Sequence, residues 1–421
     1  MSRPWWKEAV FYHLYVRSFQ DSKGDGIGDL GGVLGRIDHL EQLGVDALWL
    51  SPIHPSPQAD FGYDVADYRA VEPDYGTLEE LSILRDALHQ RGMRLLLDFV
   101  PNHTSSDHVW FRSARTARTA AFRDFYIWAD PADDGGPPNN WCSIFGGPAW
   151  SLDEPTGQYY LHSFLRSQPD LDWRNPEVVG AMHEVMRFWL DFGVDGFRVD
   201  AIAQVIKDDR LRSNPINPSY RVDPASPDYD PYLAQLHVWD GMRPEVLDVV
   251  RGMRKVVDEY EGDRCLVGET AVLERDRYAK LLGDGSSLLH LGFDFHPILA
   301  SSIPEIRQAV EATSAALHPD VWPTLALSNH DQDRHVTRLT GGTVGDDVQA
   351  RLAAAALLLQ RGTPFIYYGE EIGLPNTVVP DDRLLDPVGL VERERGRRLP
   401  IRPGLPAAGY GRDPARTPMP W

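Results

Sequence analysis

Four hydrophobic, strand-like runs in this chain each end in a carboxylate. Residues 95–98 close on Asp98 and lead into Pro101, Asn102 and His103. Residues 196–200 close on Asp200, 266–269 on Glu269, and 325–331 on Ser328, Asn329, His330 and Asp331. Carboxylates at the C-terminal ends of several separate strands are what a (β/α)8 barrel presents at its active face. Two carboxyl groups flanking a bond are also the minimal equipment for glycoside hydrolysis.

The rest of the chain supports that architecture. Strand-like runs fall at 9–19, 45–51, 94–100, 194–199, 264–268, 288–295, 323–328 and 364–368. Helical stretches separate them, at 35–43, 78–91 and 177–192 among others. In the last of these Val178, Met182, Val185, Phe188 and Trp189 recur at helical spacing. Such alternation predicts an α/β fold with a parallel sheet, and eight strands predict a (β/α)8 TIM barrel. The 421 residues suit a barrel of roughly 250 residues with large insertions. After His103 the alternation breaks, and Trp, Pro, Gly and Asp dominate as far as Trp173. A structureless loop that long is improbable. Residues 104–173 are therefore expected to form an inserted subdomain, leaving 1–103 and 174–421 for the barrel and its active-face loops. Residues 205–240 read as a loop over that face. Residues 376–421 show no clear periodicity, and no internal repeat appears.

Hydrophobic residues at 42 % and charged ones at 25 % are ample for a sizeable core. With Lys plus Arg at 42 and Asp plus Glu at 62, the net charge of −20 repels nucleic acid and anionic membranes and favours a neutral ligand. Cys142 and Cys265 are the only cysteines, which fits a reducing compartment. The N-terminus has no apolar signal core, and no run approaches the roughly 18 apolar residues of a membrane span. The expected setting is cytoplasmic, with no nucleic-acid or membrane partner.

Arg198 and Asp200 lie two apart on one strand and share a face. A neighbouring Arg holds a carboxylate ionised and lowers its pKa, which suits Asp200 as a nucleophile. Glu269 suits a general acid if its surroundings raise its pKa, and Asp331 can stabilise positive charge on a sugar. Asp60 and Tyr63 follow the second strand: a Tyr stacks on a sugar's apolar face and an Asp accepts from its hydroxyls. Residues 21–29 alternate Asp21, Asp25 and Asp29 like a calcium loop, with Ile27 placed to offer its carbonyl.

Asp98-Phe99-Val100-Pro101-Asn102-His103, Gly196-Phe197-Arg198-Val199-Asp200, Gly268-Glu269-Thr270 and Ser328-Asn329-His330-Asp331 resemble the four signature regions of the α-amylase superfamily, glycoside hydrolase family 13. Gln168-Pro169-Asp170-Leu171-Asp172-Trp173 resembles a further signature at the end of that family's inserted domain, and Tyr367-Tyr368-Gly369-Glu370-Glu371 the one at strand eight. Trp5, Trp6, Tyr15 and 17–19 at the start, with 412–419 at the end, are similar to the oligo-1,6-glucosidase and α-glucosidase subgroup, which trehalose synthases also resemble. The resemblance implies Asp200 as nucleophile, Glu269 as acid/base and Asp331 as transition-state stabiliser, in an exo-acting, retaining α-glucosidase of short oligosaccharides or disaccharides that also transglycosylates. It implies that His103 and His330 hydrogen-bond the sugar. It also implies that Asp60 pairs with a late Arg, Arg412 ahead of Arg416, to close the pocket. Phe145 is a candidate for the same wall or an ordinary core aromatic.

Two rivals stand beside that reading: a trehalose synthase-like isomerase or α-glucosyltransferase on the same site, and a non-catalytic amylase-like protein. The last class carries a membrane helix and has lost catalytic carboxylates, whereas this chain keeps all three. No cofactor is required. Members of the subgroup bind Ca²⁺ at the 21–29 loop with Asn at its third position, where this chain has Lys23, whose ammonium can replace the ion's charge. Ala201 stands where the family's Val goes with α-1,6 and Thr with α-1,4 bonds, so the linkage stays open. The relatives continue beyond the position of Trp421 into a β-sandwich domain of roughly one hundred residues. That domain is expected to be absent here, with 404–421 loosely held.

Overall fold

The hydrophobic runs become eight parallel strands of a nearly closed barrel. They are β1 (Phe11–Leu14), β2 (Ala47–Leu50), β3 (Arg94–Phe99), β7 (Gly196–Val199), β8 (Cys265–Gly268), β9 (Leu291–Gly292), β10 (Thr324–Ala326) and β11 (Thr363–Tyr367). The computed structural model describes residues 3–226, 228–270, 272–340, 347–394 and 411–421. The strands pair in the order β10-β11-β1-β2-β3-β7-β8-β9. At the seam the Thr324 hydroxyl donates to the Gly292 carbonyl at 2.5 Å. Every barrel strand is buried along its length apart from Arg94 and Pro364 at strand starts. That is why these segments read as continuous apolar runs rather than as alternating ones.

The expected first strand, 9–19, is shorter in the structure and gives way to a helical turn, Val16–Phe19. Val16 and Phe19 are three apart and both buried, a spacing that a helix satisfies and a strand does not. The sixth strand shrinks to two residues because Phe295 already begins a helix capped by the Asp294 side chain. Helix boundaries follow their caps. Leu78–Gln90 starts at a Thr77/Glu80 capping box. Pro176–Phe192 starts at Asn175 and ends at Gly193 in the left-handed conformation. A Cβ on Gly196 would sit 2.1 Å from the Cys265 carbonyl oxygen, so only glycine lets β7 lie this close to β8.

Between β3 and the Pro176–Phe192 helix, β4 (Trp128–Ala129), β5 (Trp150–Asp153) and β6 (Gln158–Leu161) form a separate antiparallel sheet in the order β4-β6-β5. Bridges from His103 to Asp170 and from Tyr126 to Leu171 return this segment to the rim of the barrel. The described end of the chain, 411–421, is anchored rather than loosely held. Met419 N–H donates to Ser18 O at 2.8 Å, Trp421 Nε1 to Phe19 O at 2.6 Å and the Tyr368 hydroxyl to Thr417 O at 2.6 Å. Residues 404–410 lie outside the described residues. Among those described, no helix is long and apolar enough to cross a membrane.

Candidate active site

Register brings the charges together. β3 and β7 pair with Asp98 opposite Arg198, and β7 pairs with β8 with Arg198 opposite Val267, two residues before Glu269. Arg198 is 2 % exposed and serves three carboxylates. Its Nη1 donates to Asp98 Oδ1 at 2.9 Å and to Asp200 Oδ1 at 2.6 Å, and its Nη2 lies 2.9 Å from Glu269 Oε2. Ala201, next to Asp200, takes the left-handed conformation (φ 43°) that non-glycine residues avoid. That turn directs the Ala201 N–H onto Glu269 Oε2 at 2.9 Å. Strained backbone of this kind costs on the order of 1–3 kcal/mol and gathers at functional sites.

One guanidinium among three carboxylates corrects the expectation that Arg198 keeps Asp200 low. Burial pushes the Asp200 carboxyl well up; Arg198 opposes this, while Glu269 and Asp98 add to it. Burial, partly offset by Arg198, likewise raises Asp98 to about 6. Asp200 and Asp98 share one guanidinium and are both raised, so their titration belongs to the pair rather than to one residue.

Asp331 sits in the opposite field. Burial alone would raise it, but His330, Arg412 and Arg416 outweigh burial and hold it well below the usual carboxylate range. Arg412 Nη1 and Arg416 Nη2 donate to its Oδ1 at 3.0 and 2.8 Å. Burial keeps the His330 ring neutral, and its Nε2 lies 3.2 Å from Asp331 Oδ2. Asp331 is thus held low where Asp200 and Asp98, across the pocket, are pushed up.

The far wall is closed by charge. Arg412 Nη2 donates to Asp60 Oδ1 at 2.7 Å, and Gln168 Nε2 donates to Asp60 Oδ2 at 3.0 Å. Arg412 also stands over the Phe145 ring, 5.0 Å from its centroid. Tyr63 stacks on His330 with centroids 5.1 Å apart and donates to Asp98 Oδ2 at 3.1 Å. His103 Nε2 lies 3.2 Å from Tyr63 O and 3.0 Å from the Gln168 amide, and burial lowers the His103 pKa to about 4. These side chains surround a cavity of about 490 Å³ whose lining includes Asp60, Tyr63, His103, Phe145, Asp200, Glu269, Asp331 and Arg412. Its volume is that of a small-ligand site. Arg198 and His330 are not among the lining residues; Arg198 acts through Asp200 and Glu269, and His330 through Tyr63 and Asp331.

Residues 13–421 match the model of the α-amylase catalytic domain. The chain belongs to the α-amylase family. It is 42 % identical over 424 residues to a probable α-glucosidase of Rhizobium meliloti, covering 100 % of this chain and 74 % of that protein. It is 39 % identical over 450 residues to the oligo-1,6-glucosidase of Parageobacillus thermoglucosidasius, covering 100 % and 76 %. The crystal structure of an α-glucosyl transfer enzyme, XgtA, superposes with a TM-score of 0.90 at 42 % identity, covering 100 % of this chain and 76 % of that one. As a member of this family the chain is a glycoside hydrolase.

The family's calcium loop does not fit an ion as it is folded here. Asp21 spends both oxygens on backbone N–H groups: Lys23 at 2.9 Å and Gly24 at 2.6 Å on Oδ1, Gly26 at 2.8 Å on Oδ2. Asp25 accepts from Ile27 N–H at 2.9 Å. Asp29 accepts from Ser22 Oγ and Gly32 N–H, both at 2.7 Å. Lys23 Nζ turns away to Asp74 O at 2.9 Å. Among the described residues no three or more His, Cys, Asp or Glu side chains converge on a metal position.

Two site residues escaped the sequence reading, and a third was given only second place. Gln168 ties Asp60 to His103, and only its place in the quoted Gln-Pro-Asp motif hinted at it. Asp386, fully buried, accepts from Arg412 N, Nε and Nη2 at 2.6, 2.9 and 2.7 Å. It comes from a stretch without periodicity and had no signal. Arg416 was only an alternative to Arg412; the structure puts both on Asp331.

Proposed function

We propose that this chain is an exo-acting, retaining α-glucosidase of short α-glucosides, with Asp200 as nucleophile, Glu269 as acid/base and Asp331 as the stabilising carboxylate. The observation that carries the reading is the Asp60–Arg412 pair. Charge-assisted and buried, it walls off one end of the cavity, so a chain end enters and a chain interior does not. The sugar end then lies among Tyr63, His103 and Asp331. Asp200 and Glu269 contact one guanidinium, that of Arg198. That closeness favours a retaining pair, about 5–5.5 Å apart, over the wider gap that an inverting water requires. Asp200 attacks the anomeric carbon as Glu269 protonates the departing oxygen. Water, activated by Glu269, then releases the glucose.

The relatives' names, an α-glucosidase and an oligo-1,6-glucosidase, support a short glucosyl substrate. The transfer enzyme favours a second outcome on the same site, in which a sugar hydroxyl replaces water. The two unpaired cysteines, Cys142 and Cys265, fit a reducing cytoplasm. Product analysis on maltopentaose and soluble starch tests the reading. Glucose alone at the earliest times, with starch nearly inert, supports it. Early maltose or maltotriose and rapid viscosity loss overturn it.

A further inference from the structure

Four of the carboxylates that line the cavity are neutralised by guanidinium groups: Asp60 by Arg412, Asp200 and Glu269 by Arg198, and Asp331 by Arg412 and Arg416. A fifth is not. Asp333 lines the same cavity, two residues beyond Asp331, and makes no side-chain ion pair among the described residues. Its Oδ1 accepts from Asn376 Nδ2. Its Oδ2 accepts no hydrogen bond among the described residues. Asn376 is itself fixed, because its Oδ1 accepts from Arg334 N–H at 2.9 Å and its own N–H donates to Thr337 Oγ1 at 2.7 Å. Asn376 therefore holds the Asp333 carboxylate in one orientation with one oxygen committed and one uncommitted.

The surroundings say what that oxygen is for. Much of the cavity lining is apolar, including Ile144, Phe164, Ala203, Phe295 and Val388. A half-buried carboxylate beside such side chains is poorly hydrated; burial raises its pKa, opposed by the Asn376 hydrogen bond and by the Arg338 charge. Arg338, whose Nη1 donates to the Asp333 backbone carbonyl at 2.7 Å, leaves Oδ2 unbonded among the described residues, and as a carboxylate oxygen it serves a neutral ligand as a hydrogen-bond acceptor.

Resting on the glucosidase reading, we propose that Asp333 is a specificity-determining residue, whose Oδ2 accepts a hydroxyl of the sugar on the leaving-group side of the scissile bond and of the incoming acceptor in transfer. A group of this kind rejects ligands that lack the hydroxyl, because the buried acceptor is then left unpaired.

The test compares leaving groups with and without hydroxyls. kcat/KM is measured for maltose, isomaltose and 4-nitrophenyl α-glucoside with the wild-type chain, Asp333→Asn and Asp333→Ser. The quantity read is the ratio of disaccharide to aryl-glucoside kcat/KM. Loss of one charge-assisted hydrogen bond lowers that ratio roughly 10- to 100-fold in both variants for at least one disaccharide, chiefly through KM, and lowers the yield of transfer to added glucose relative to water. The aryl-glucoside activity of each variant reports that it is folded. A ratio unchanged in both variants, whether activity is kept or lost in parallel, overturns the assignment. A wild-type chain that turns over none of the three substrates overturns the glucosidase reading instead, and the Asp333 assignment falls with it.

Discussion

Replacing Asp386 by Asn separates the two jobs this buried carboxylate does. Its Oδ1 accepts from Arg412 Nε and Nη2, and its Oδ2 from Arg412 N–H and, at 3.3 Å, from Gly389 N–H. Whichever oxygen becomes an amide nitrogen, two buried donors lose their acceptor. Each costs about 1–3 kcal/mol, and breaking a buried pair costs about 3–5 kcal/mol. Arg412 keeps Asp60 and Asp331, so the lower end applies, about 3 kcal/mol, or a fall in Tm of roughly 3–4 °C for a chain of this length. The second effect is on function. Arg412 Nη2 is shared between Asp386 and Asp60, and a loosened guanidinium no longer holds Asp60 against the terminal glucose. A charge-assisted bond of about 1.5–3 kcal/mol predicts a 10- to 100-fold fall in kcat/KM.

The pH dependence has a definite sign. Burial would raise the Asp386 carboxyl, but Arg412 and Arg416 hold it below its ordinary value. Its contribution is complete above the unfolded value of about 3.9 and is lost as pH falls through the lower folded one. The Tm difference between wild type and Asp386→Asn is therefore full at pH 7 and narrows below about pH 4. The assays are thermal melts at both pH values and 4-nitrophenyl α-glucoside kinetics at pH 7. A lower Tm with unchanged kcat/KM would refute the idea that Asp386 positions Arg412 for the substrate.

Other perturbations follow from the same charges. Glu269→Gln slows maltose far more than 4-nitrophenyl α-glucoside, because only the poor leaving group needs the proton; equal losses on the two substrates would give Glu269 another role. Burial raises the Asp98 carboxyl to about 6 within its coupled pair with Asp200, so the native pair holds a proton that the unfolded chain loses. Wild-type stability from this group therefore falls between about pH 4 and pH 6, and the penalty of Asp98→Asn shrinks over that interval in urea melts; a constant difference would contradict the assignment. Because the 21–29 loop is closed by its own N–H groups, EDTA leaves Tm and kcat unaltered, and a drop restored by Ca²⁺ would show that the loop opens to an ion.

The barrel was legible because buried parallel strands are apolar throughout, and their C-terminal carboxylates mark one face. β9 was overestimated because Phe293 and Phe295 extend the apolar run, yet they flank Asp294, which caps the helix that Phe295 begins. The Asp200 environment was misjudged for a physical reason. Arg198 is two residues away in sequence, but Asp98 reaches it only through the β3–β7 register, and a single strand shows one partner where the sheet supplies three. Asp60 and Arg412 are 352 residues apart and were paired only through resemblance to the α-glucosidase subgroup. Asp386 and Asn376 act through long-range contacts that no periodicity encodes.

The central claim is that Asp200 and Glu269 work as a retaining pair. Proton NMR of the first glucose released from maltose or an aryl α-glucoside, recorded before mutarotation, tests it most directly. Two displacements through a glucosyl-Asp200 intermediate release α-glucose first. β-Glucose as the first product would mean that water attacks directly, and would contradict the account.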